Sequence, residues 1–516
     1  MARTSVLCAL AVALAGCTMG PNFEAPSSWS PQSWFAPKPS AVAPPAVPST
    51  PVAEPIDPSW WAAFGDAELD ALENRVAAEN LDVRAATVRL AESRAQRRIT
   101  GAAEFPQING DASYQRQLPS KEGVFSLLGA GAPGGVSGGA GSGGGASGVP
   151  AGGLALRPFD LWQYGLDASW ELDLWGRVRR SIEAADASID ASGEARRDTY
   201  LSVLAEVARD YVQLRGVQTQ LRISRENLEI AETNLKLTQE RAAHGLTSTL
   251  DADTAAAQVA TTAATIPQLE QQQSQLINQL GFLLGQPPRA LDAELGAPAP
   301  VPPVPPRVPI GLPAELARRR PDIRQAEAQL HAQTAQIGVA VASFYPTVTL
   351  NGSFDIQAVK FGNLADWGAR TYGFGPSLSV PIFEGGRLKG NLELTEAQQQ
   401  EAVIAYQRTV LNAWQEVDNA LTAYGAEQRR RERFEDAVAR NRRALDLARQ
   451  QYTQGLTTFL QVLTVQQQLL QSEQQAADST TTVSLDLVAL YKALGGGWET
   501  AFPYQASSGP ASSPPR

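Results

Sequence analysis

The sequence predicts an α+β membrane protein built as an internal two-fold repeat, of which several copies are needed to complete one β-barrel. Three observations carry this. Segments recur: "AAEFPQINGDASYQ" at 102–115 returns as "ASFYPTVTLNGSFD" at 342–355, "YGLDASWELDLWGR" at 164–177 as "YGFGPSLSVPIFEGGR" at 372–387, and "RAAHGLTS" at 241–248 as "QYTQGLTT" at 451–458. Within each half, short stretches of period-two alternation are followed by very long stretches free of strand signals. The N-terminus carries an export address.

Taking the elements in order, Arg3 precedes an apolar run from Val6 to Ala13 that meets Leu14-Ala15-Gly16-Cys17. A short apolar core ending in small residues is a secretion signal, not a membrane span. Residues 1–16 are read as a signal peptide whose removal takes Cys8 with it. Cys17 is then the one remaining cysteine of the 2 in the chain, which leaves no intrachain disulfide. Residues 18–58, rich in Pro, Ser and Ala, predict an extended tether that wraps a body without joining its core; the tether region as a whole is taken as 17–65, with Asp57 to Phe64 leading into the first helix.

The first repeat, 66–285, opens with a helix expected from about Ala67 to Ala103, with Leu69, Leu72, Val76, Leu81, Val83 and Val88 on its apolar positions. Phe105-Pro106 ends it. In 108–118, Asn109, Asp111, Ser113 and Gln115 alternate with Ile108, Ala112, Tyr114 and Leu118. From Leu166 to Leu174, Asp167, Ser169, Glu171 and Asp173 alternate with Leu166, Ala168, Trp170, Leu172 and Leu174. The second repeat, 312–497, answers with Thr349, Asn351, Ser353, Asp355 and Gln357 against Val348, Leu350, Phe354 and Ile356, and then with Phe374, Leu378, Val380 and Ile382 against Ser377 and Ser379.

Such alternation fits a soluble sandwich strand or a transmembrane strand with its apolar side to lipid and its polar side to a lumen. Strand length, aromatic ends (Phe159, Trp162, Trp175, Phe361, Trp367, Phe383) and the export address favour the second. Four strands cannot close a barrel and open edges are not tolerated in lipid, so several chains must share one. Asp111, Asp167, Glu171, Asp173 and Asp355 then face the lumen, a lining that favours cationic cargo weakly.

The Gly-rich stretch 123–155 has no counterpart in the second half. Pro106 to Pro346 is 240 residues and Tyr164 to Tyr372 is 208, a difference of 32 that measures this insertion. It predicts a flexible outer loop. After Arg177 a helix is expected to about Ala243, roughly 100 Å long at the helical rise, and after Arg387 another to about Thr453. Each ends at Gly-Leu-Thr, and return helices follow at about 249–283, where Pro267 predicts a kink or break, and 459–494. Such helices need lateral partners. Residues 286–311 form a proline-rich equatorial join, and 498–516 a disordered tail.

Several features exclude other classes. A net charge of −10 argues against nucleic acid. The two histidines, His244 and His331, have no ligand-spaced companions, and no HExxH, GxSxG or P-loop occurs, so neither a metal site nor a catalytic dyad is expected. The run Arg318-Arg319-Arg320-Pro321-Asp322 is expected to be structural, with Asp322 at a helix start.

The order of elements, with "DPSWWAAFGDAELDAL", "ARRRPDIRQAEAQLHAQTAQIGVAVASFYPTVTLNGSF", "LSVPIFEGGRLKGNLELTEAQ" and "LYKALGGGW", resembles the outer-membrane efflux protein family of TolC-like outer membrane factors, in its NodT-type lipoprotein branch. The resemblance covers nearly all of the chain after the signal. It implies a trimeric channel-tunnel, with a 12-stranded outer-membrane barrel continuous with a long α-helical periplasmic barrel. The chain would be the gated exit duct of a tripartite efflux system, with a periplasmic adaptor and an inner-membrane pump of the RND type as partners. Type I protein secretion and a non-conducting structural lipoprotein are the alternatives.

The same resemblance places N-acyl and S-diacylglycerol groups on Cys17, with Thr18 after it pointing to the outer membrane, and implies no cofactor. It assigns adaptor contact to Gly245, Leu246, Thr247, Gly455, Leu456 and Thr457, although a glycine there also simply ends a helix. Leu456 and Leu460 match an apolar constriction at the periplasmic tip. Thr464 and Gln467 stand where the branch often carries a charged lock, which leaves a mainly hydrophobic gate. Asp251 and Asp253 could supply carboxylates there, or serve as helix N-terminal charges.

Overall fold

The structure, a computed structural model, describes residues 18–27, 49–118 and 158–503. Cys17, the 123–155 stretch and residues 504–516 lie outside the described residues. The elements run β1 (Thr50–Val52), α1 (Ala67–Glu79), α2 (Leu81–Gly101), β2 (Gln107–Gln117), β3 (Phe159–Leu172), α3 (Arg177–Ala243), α4 (Thr249–Leu283), β4 (Arg307–Pro309), α5 (Pro321–Ala342), β5 (Thr347–Ala358), β6 (Arg370–Ser379), α6 (Arg387–Thr453) and α7 (Phe459–Leu494). Single helical turns occur at Asp292–Leu295 and Leu316–Arg319. Among the described residues no helix is long and apolar enough to cross a membrane. The chain divides into two compact units, one within Met1–Pro21, Arg98–Ile182 and Ala335–Thr395, the other comprising Asn22–Arg97, Glu183–Thr334 and Glu396–Arg516.

The first unit holds an antiparallel sheet in the order β2-β3-β5-β6. Because side chains alternate along a strand, register decides which residues share a face. Asn109 pairs with Asp167, Asp111 with Gly165, Gly165 with Asp355, and Asp355 with Thr371. One face is thus polar across all four strands. On the other, Tyr114 opposes Trp162, Leu166 opposes Phe354, and Phe354 opposes Tyr372. Tyr114 and Trp162 pack with ring centroids 4.3 Å apart and planes tilted by 38°. Apolar residues of this face, among them Ile108, Leu166, Phe374 and Leu378, are exposed. Among the described residues, strands β2 and β6 each pair on one side only.

The strand limits differ from the alternation at two places. β3 begins at Phe159 and stops at Leu172, so Phe159 and Trp162 lie within it, and Asp173 and Leu174 beyond it. The reason is local: Asp173 turns to accept the backbone N–H of Val178 at 3.1 Å and of Arg179 at 2.9 Å, capping α3. β6 stops at Ser379, which leaves Val380 and Ile382 outside it.

The second unit is helical. Its main core joins Trp60, Phe64, Leu72, Leu204, Tyr211, Leu280, Trp414, Tyr424 and Tyr491. The long helices cross closely where side chains are absent: a Cβ on Gly216 of α3 would come within 2.6 Å of the Thr481 hydroxyl on α7. Elsewhere amides span the helices. Asn234 on α3 donates to Gln466 on α7 at 2.6 Å, and Asn227 to Glu473 at 3.3 Å. Arg320, 8% exposed, binds Asp322 and Glu416, both at 2.7 Å, and the Ala493 carbonyl at 2.8 Å, the structural role expected of the arginine run.

Four expectations for these regions are corrected. The stretch up to 65 is not excluded from the core: Ile56, Trp60, Trp61 and Phe64 are buried in it. Trp60 stacks on Tyr491 at 5.2 Å and donates to the Gly496 carbonyl at 3.1 Å, while β1 pairs in parallel with β4. The helix expected to span 67–103 breaks at Asn80, whose side chain accepts the Val83 N–H at 2.9 Å and donates to the Leu283 carbonyl at 2.7 Å. Leu81 and Val88 are exposed as a result. α4 continues as one helix through Pro267, so the break allowed for there does not occur. The chain after Trp498 is not all tail: Trp498 is buried and Phe502 packs edge-on to Tyr200 at 5.2 Å.

Burial raises several carboxyls in this unit, among them Asp198 and Asp210, and Glu73 and Asp486 most of all. Glu73 is fully buried, neither of its carboxylate oxygens has a hydrogen-bond partner, and desolvation with Asp70 nearby pushes it well above its ordinary 4.5. Burial and the neighbouring Glu427 push Asp486 up to about 6. A carboxyl with a raised folded pKa binds its proton in the folded state over a window where the unfolded chain has lost it. Stability therefore falls as pH rises from the unfolded value towards the folded one, and is highest below that window. The apparent melting temperature should be higher at pH 5 than at pH 8. Glu73→Gln with Asp486→Asn should flatten that difference in thermal melts; an unchanged slope would place its origin elsewhere.

Candidate functional site

The turns joining α3 to α4 and α6 to α7 share one construction. Gly245 and Gly455 take positive φ of 69° and 76°, which favours glycine. Each glycine N–H returns to the carbonyl three residues back, Gly245 to Ala242 and Gly455 to Tyr452, both at 3.0 Å. The next N–H reaches five back, Leu246 to Arg241 and Leu456 to Gln451, both at 2.9 Å. These are the paired bonds of a Schellman ending. The return helices begin after Ser248 and Thr458 in the same extended conformation, φ −86° and −85°, with ψ 158° at both.

On these turns the apolar side chains point away from the chain's own core. Leu246 and Leu250 are 67% and 71% exposed, and Leu456 and Leu460 are 73% and 65% exposed. Four leucines at matching positions of two hairpins are a surface awaiting cover. Thr247 and Thr457 are half-buried. Thr247 donates its hydroxyl to the Asp251 carboxylate, so Asp251 is engaged in its own turn, whereas Asp253 is exposed.

Where a charged lock was not to be expected, the structure places neutral groups. Thr464 turns its hydroxyl back to the Leu460 carbonyl at 2.8 Å. Gln467 donates its side-chain amide to Gln258 of α4 at 2.9 Å. That amide pair ties the two return helices together, and neither residue was legible as a partner from spacing.

The two hairpins differ beneath their turns. Tyr452 and Phe459 flank the second turn with ring centroids 5.8 Å apart and head a small core with Leu445, Val462, Leu463 and Leu469. Arg241 of α3 lies 4.8 Å over the Tyr452 ring. The first turn has Ala242 and Thr249 at the matching positions. Sequence reasoning passed over these aromatics because the repeat drew attention to what the halves share.

Of the acidic residues assigned to the lumen, Asp111, Asp167 and Asp355 lie on the polar face of the sheet. Asp167 accepts from Asn109 at 3.1 Å and Asp355 from Gln163 at 3.3 Å. Gly165 makes room for Asp355, whose carboxylate a Cβ there would approach within 2.1 Å. Glu171, opposite Thr349, lies on the same face and is bound by Arg177 through two hydrogen bonds, at 2.9 and 2.5 Å. Asp173 caps α3 and binds Arg179 at 3.2 Å, so it is not a strand carboxylate. Among the described residues no group of three His, Cys, Asp or Glu side chains could hold a metal ion.

Residues 72–286 and 312–496 match the family described as outer membrane efflux protein. The outer membrane protein OprJ of Pseudomonas aeruginosa is 32% identical over 494 residues, covering 95% of either chain. The pyoverdine export outer membrane protein OpmQ of Pseudomonas putida is 34% identical, over 90% of this chain and 94% of its own. The structure of the outer-membrane channel OprN superposes with a TM-score of 0.81 at 31% identity, over 94% of this chain and all of that one. The chain belongs to the outer membrane efflux protein family.

Proposed function

We propose that three copies of the chain close into one barrel and one helical tunnel, forming the outer-membrane exit duct of a tripartite efflux system. The observation that carries this is the sheet with two unpaired edges, polar on one face and apolar on the other. Four strands per chain give 12 in three copies, enough to leave a lumen. The duct is a conduit for small molecules and not an enzyme. A relative named for pyoverdine export supports that cargo class. The aspartates of the polar face would line the lumen and favour cationic cargo weakly.

Cys17 carries the lipid that anchors the chain, and the tether from Thr18 leads into the body. The turns at Gly245-Leu246-Thr247 and Gly455-Leu456-Thr457 meet a periplasmic adaptor, which links the duct to an inner-membrane pump of the RND type. The exposed leucines of these turns fit both that contact and closure of the resting tip by Leu456 and Leu460.

Purified trimer in a planar bilayer should show single-channel conductance, and a well-folded trimer without any would sink the duct. Leu456→Ser with Leu460→Ser should raise resting conductance several-fold and sensitise cells to large antibiotics; unchanged conductance would place the constriction elsewhere. A photo-crosslinker at position 246 or 456 should yield an adduct with the adaptor in cells, whereas one at exposed Val88 should not. Intact-mass analysis of membrane-extracted protein should find the acyl groups on the mature chain, and Cys17→Ser should abolish them.

A further inference from the structure

A cavity of about 610 Å³ opens among α2, α3, α5 and the segment 501–503, and the duct function does not use it. Its charges fall into two sets. In the first, Glu194, 5% exposed, is shared by Arg197 at 2.7 Å and Arg324 at 3.0 Å. Asp190 lies within the influence of His331, Arg324 and Arg197, and Glu327 also lines the wall. His331 is itself held by Glu183 at 3.1 Å and stacked on Phe23 at 4.4 Å.

The second set is cationic. Arg94 and Arg196 have no carboxylate partner among the described residues. Arg196 lies 4.1 Å over the Phe502 ring, and its Nε is buried without an acceptor. Besides burial, the charges bearing on it are those of Arg197 and Arg94, both of its own sign, and together they lower its pKa. Arg196 is half-buried and Arg94 exposed on the wall of the same cavity, and a guanidinium partly withdrawn from water with no carboxylate bonded to it is an unfavourable arrangement unless an anion joins it.

Gly193 adds an independent observation. It stands inside α3, where glycine is a poorer helix former than alanine. A Cβ there would meet nothing within 4 Å, and its φ is not positive. Neither packing nor backbone geometry asks for glycine at this position. Its effect is to keep the cavity wall open.

We propose that this cavity binds an oxyanion, a phosphate or carboxylate group of a small molecule, with Arg94 and Arg196 as its ligands and Phe502 holding the Arg196 fork in place. Guanidinium forks match two oxygens of either group. The inference rests on the duct function only for the compartment, the periplasm, from which the ligand comes.

The test is calorimetric titration of the purified full-length trimer, in a zwitterionic buffer, with inorganic phosphate and separately with citrate. Saturable binding is expected, weakened about tenfold or more by Arg94→Ala or Arg196→Ala, as loss of a charge-assisted bond implies. Arg196→Lys, which keeps charge but not the fork, should fall between. Gly193→Leu should fill the cavity and abolish binding. Phosphate alone binding would assign a phosphoryl ligand, and citrate alone a carboxylate. Binding of neither at millimolar concentration, or equal binding by the Arg94→Ala/Arg196→Ala double variant, would overturn the site. Conductance is read on the same samples: its absence with binding intact counts against the duct and leaves the oxyanion site standing.

Discussion

The backbone hydrogen bonds left open along the outer sides of β2 and β6 set the terms for everything else in this chain. In water an open edge is a liability that side chains can blunt. In hydrocarbon each unpaired N–H or carbonyl costs several kcal/mol, on the order of a full hydrogen bond per residue. A sheet of four strands with an exposed apolar face therefore has no stable existence there alone. The same follows for the hairpins, whose leucines are uncovered within the chain. Incompleteness of two kinds, polar at the strand edges and apolar at the turns, is met by a single remedy, repetition about an axis.

Within the helical unit the internal contacts are of unlike kinds. The main core is built on aromatic side chains brought from distant segments, with Trp60 against Tyr491 as its centre. The contact between α3 and α7 is polar further along, through Asn227, Asn234, Glu473 and Gln466. Hydrogen-bonded amides fix which faces meet without the tight fit that an aromatic core demands. The core thus holds the helices together by shape, and the amides add directional contacts along them.

Much of this was legible in the sequence, and the rest was not for identifiable reasons. Helices α3 and α6, 67 residues each, declared themselves by the absence of proline and by Gly-Leu-Thr at the end. The two faces of the sheet followed from alternation alone. Trp60, Trp61 and Phe64 were hidden because the proline-rich stretch before them has the composition of a tether, and nothing local reveals that it returns to Tyr491 and Gly496. Asn80 escaped because apolar periodicity continues through a cap. Phe502 and the Arg196 it covers are 306 residues apart with nothing periodic to link them, and the Gln258–Gln467 bond joins residues 209 apart. Pairings of that span leave no trace in spacing.

The Gln258–Gln467 bond has one more implication. A clasp made of two carboxamides has no titrating group and carries no net charge, so proton concentration and dissolved ions alter it little. A carboxylate–guanidinium clasp at the same place would loosen in brine and in acid. This tie between the return helices is therefore one that neither salt nor acid alters much, whatever surroundings the chain meets.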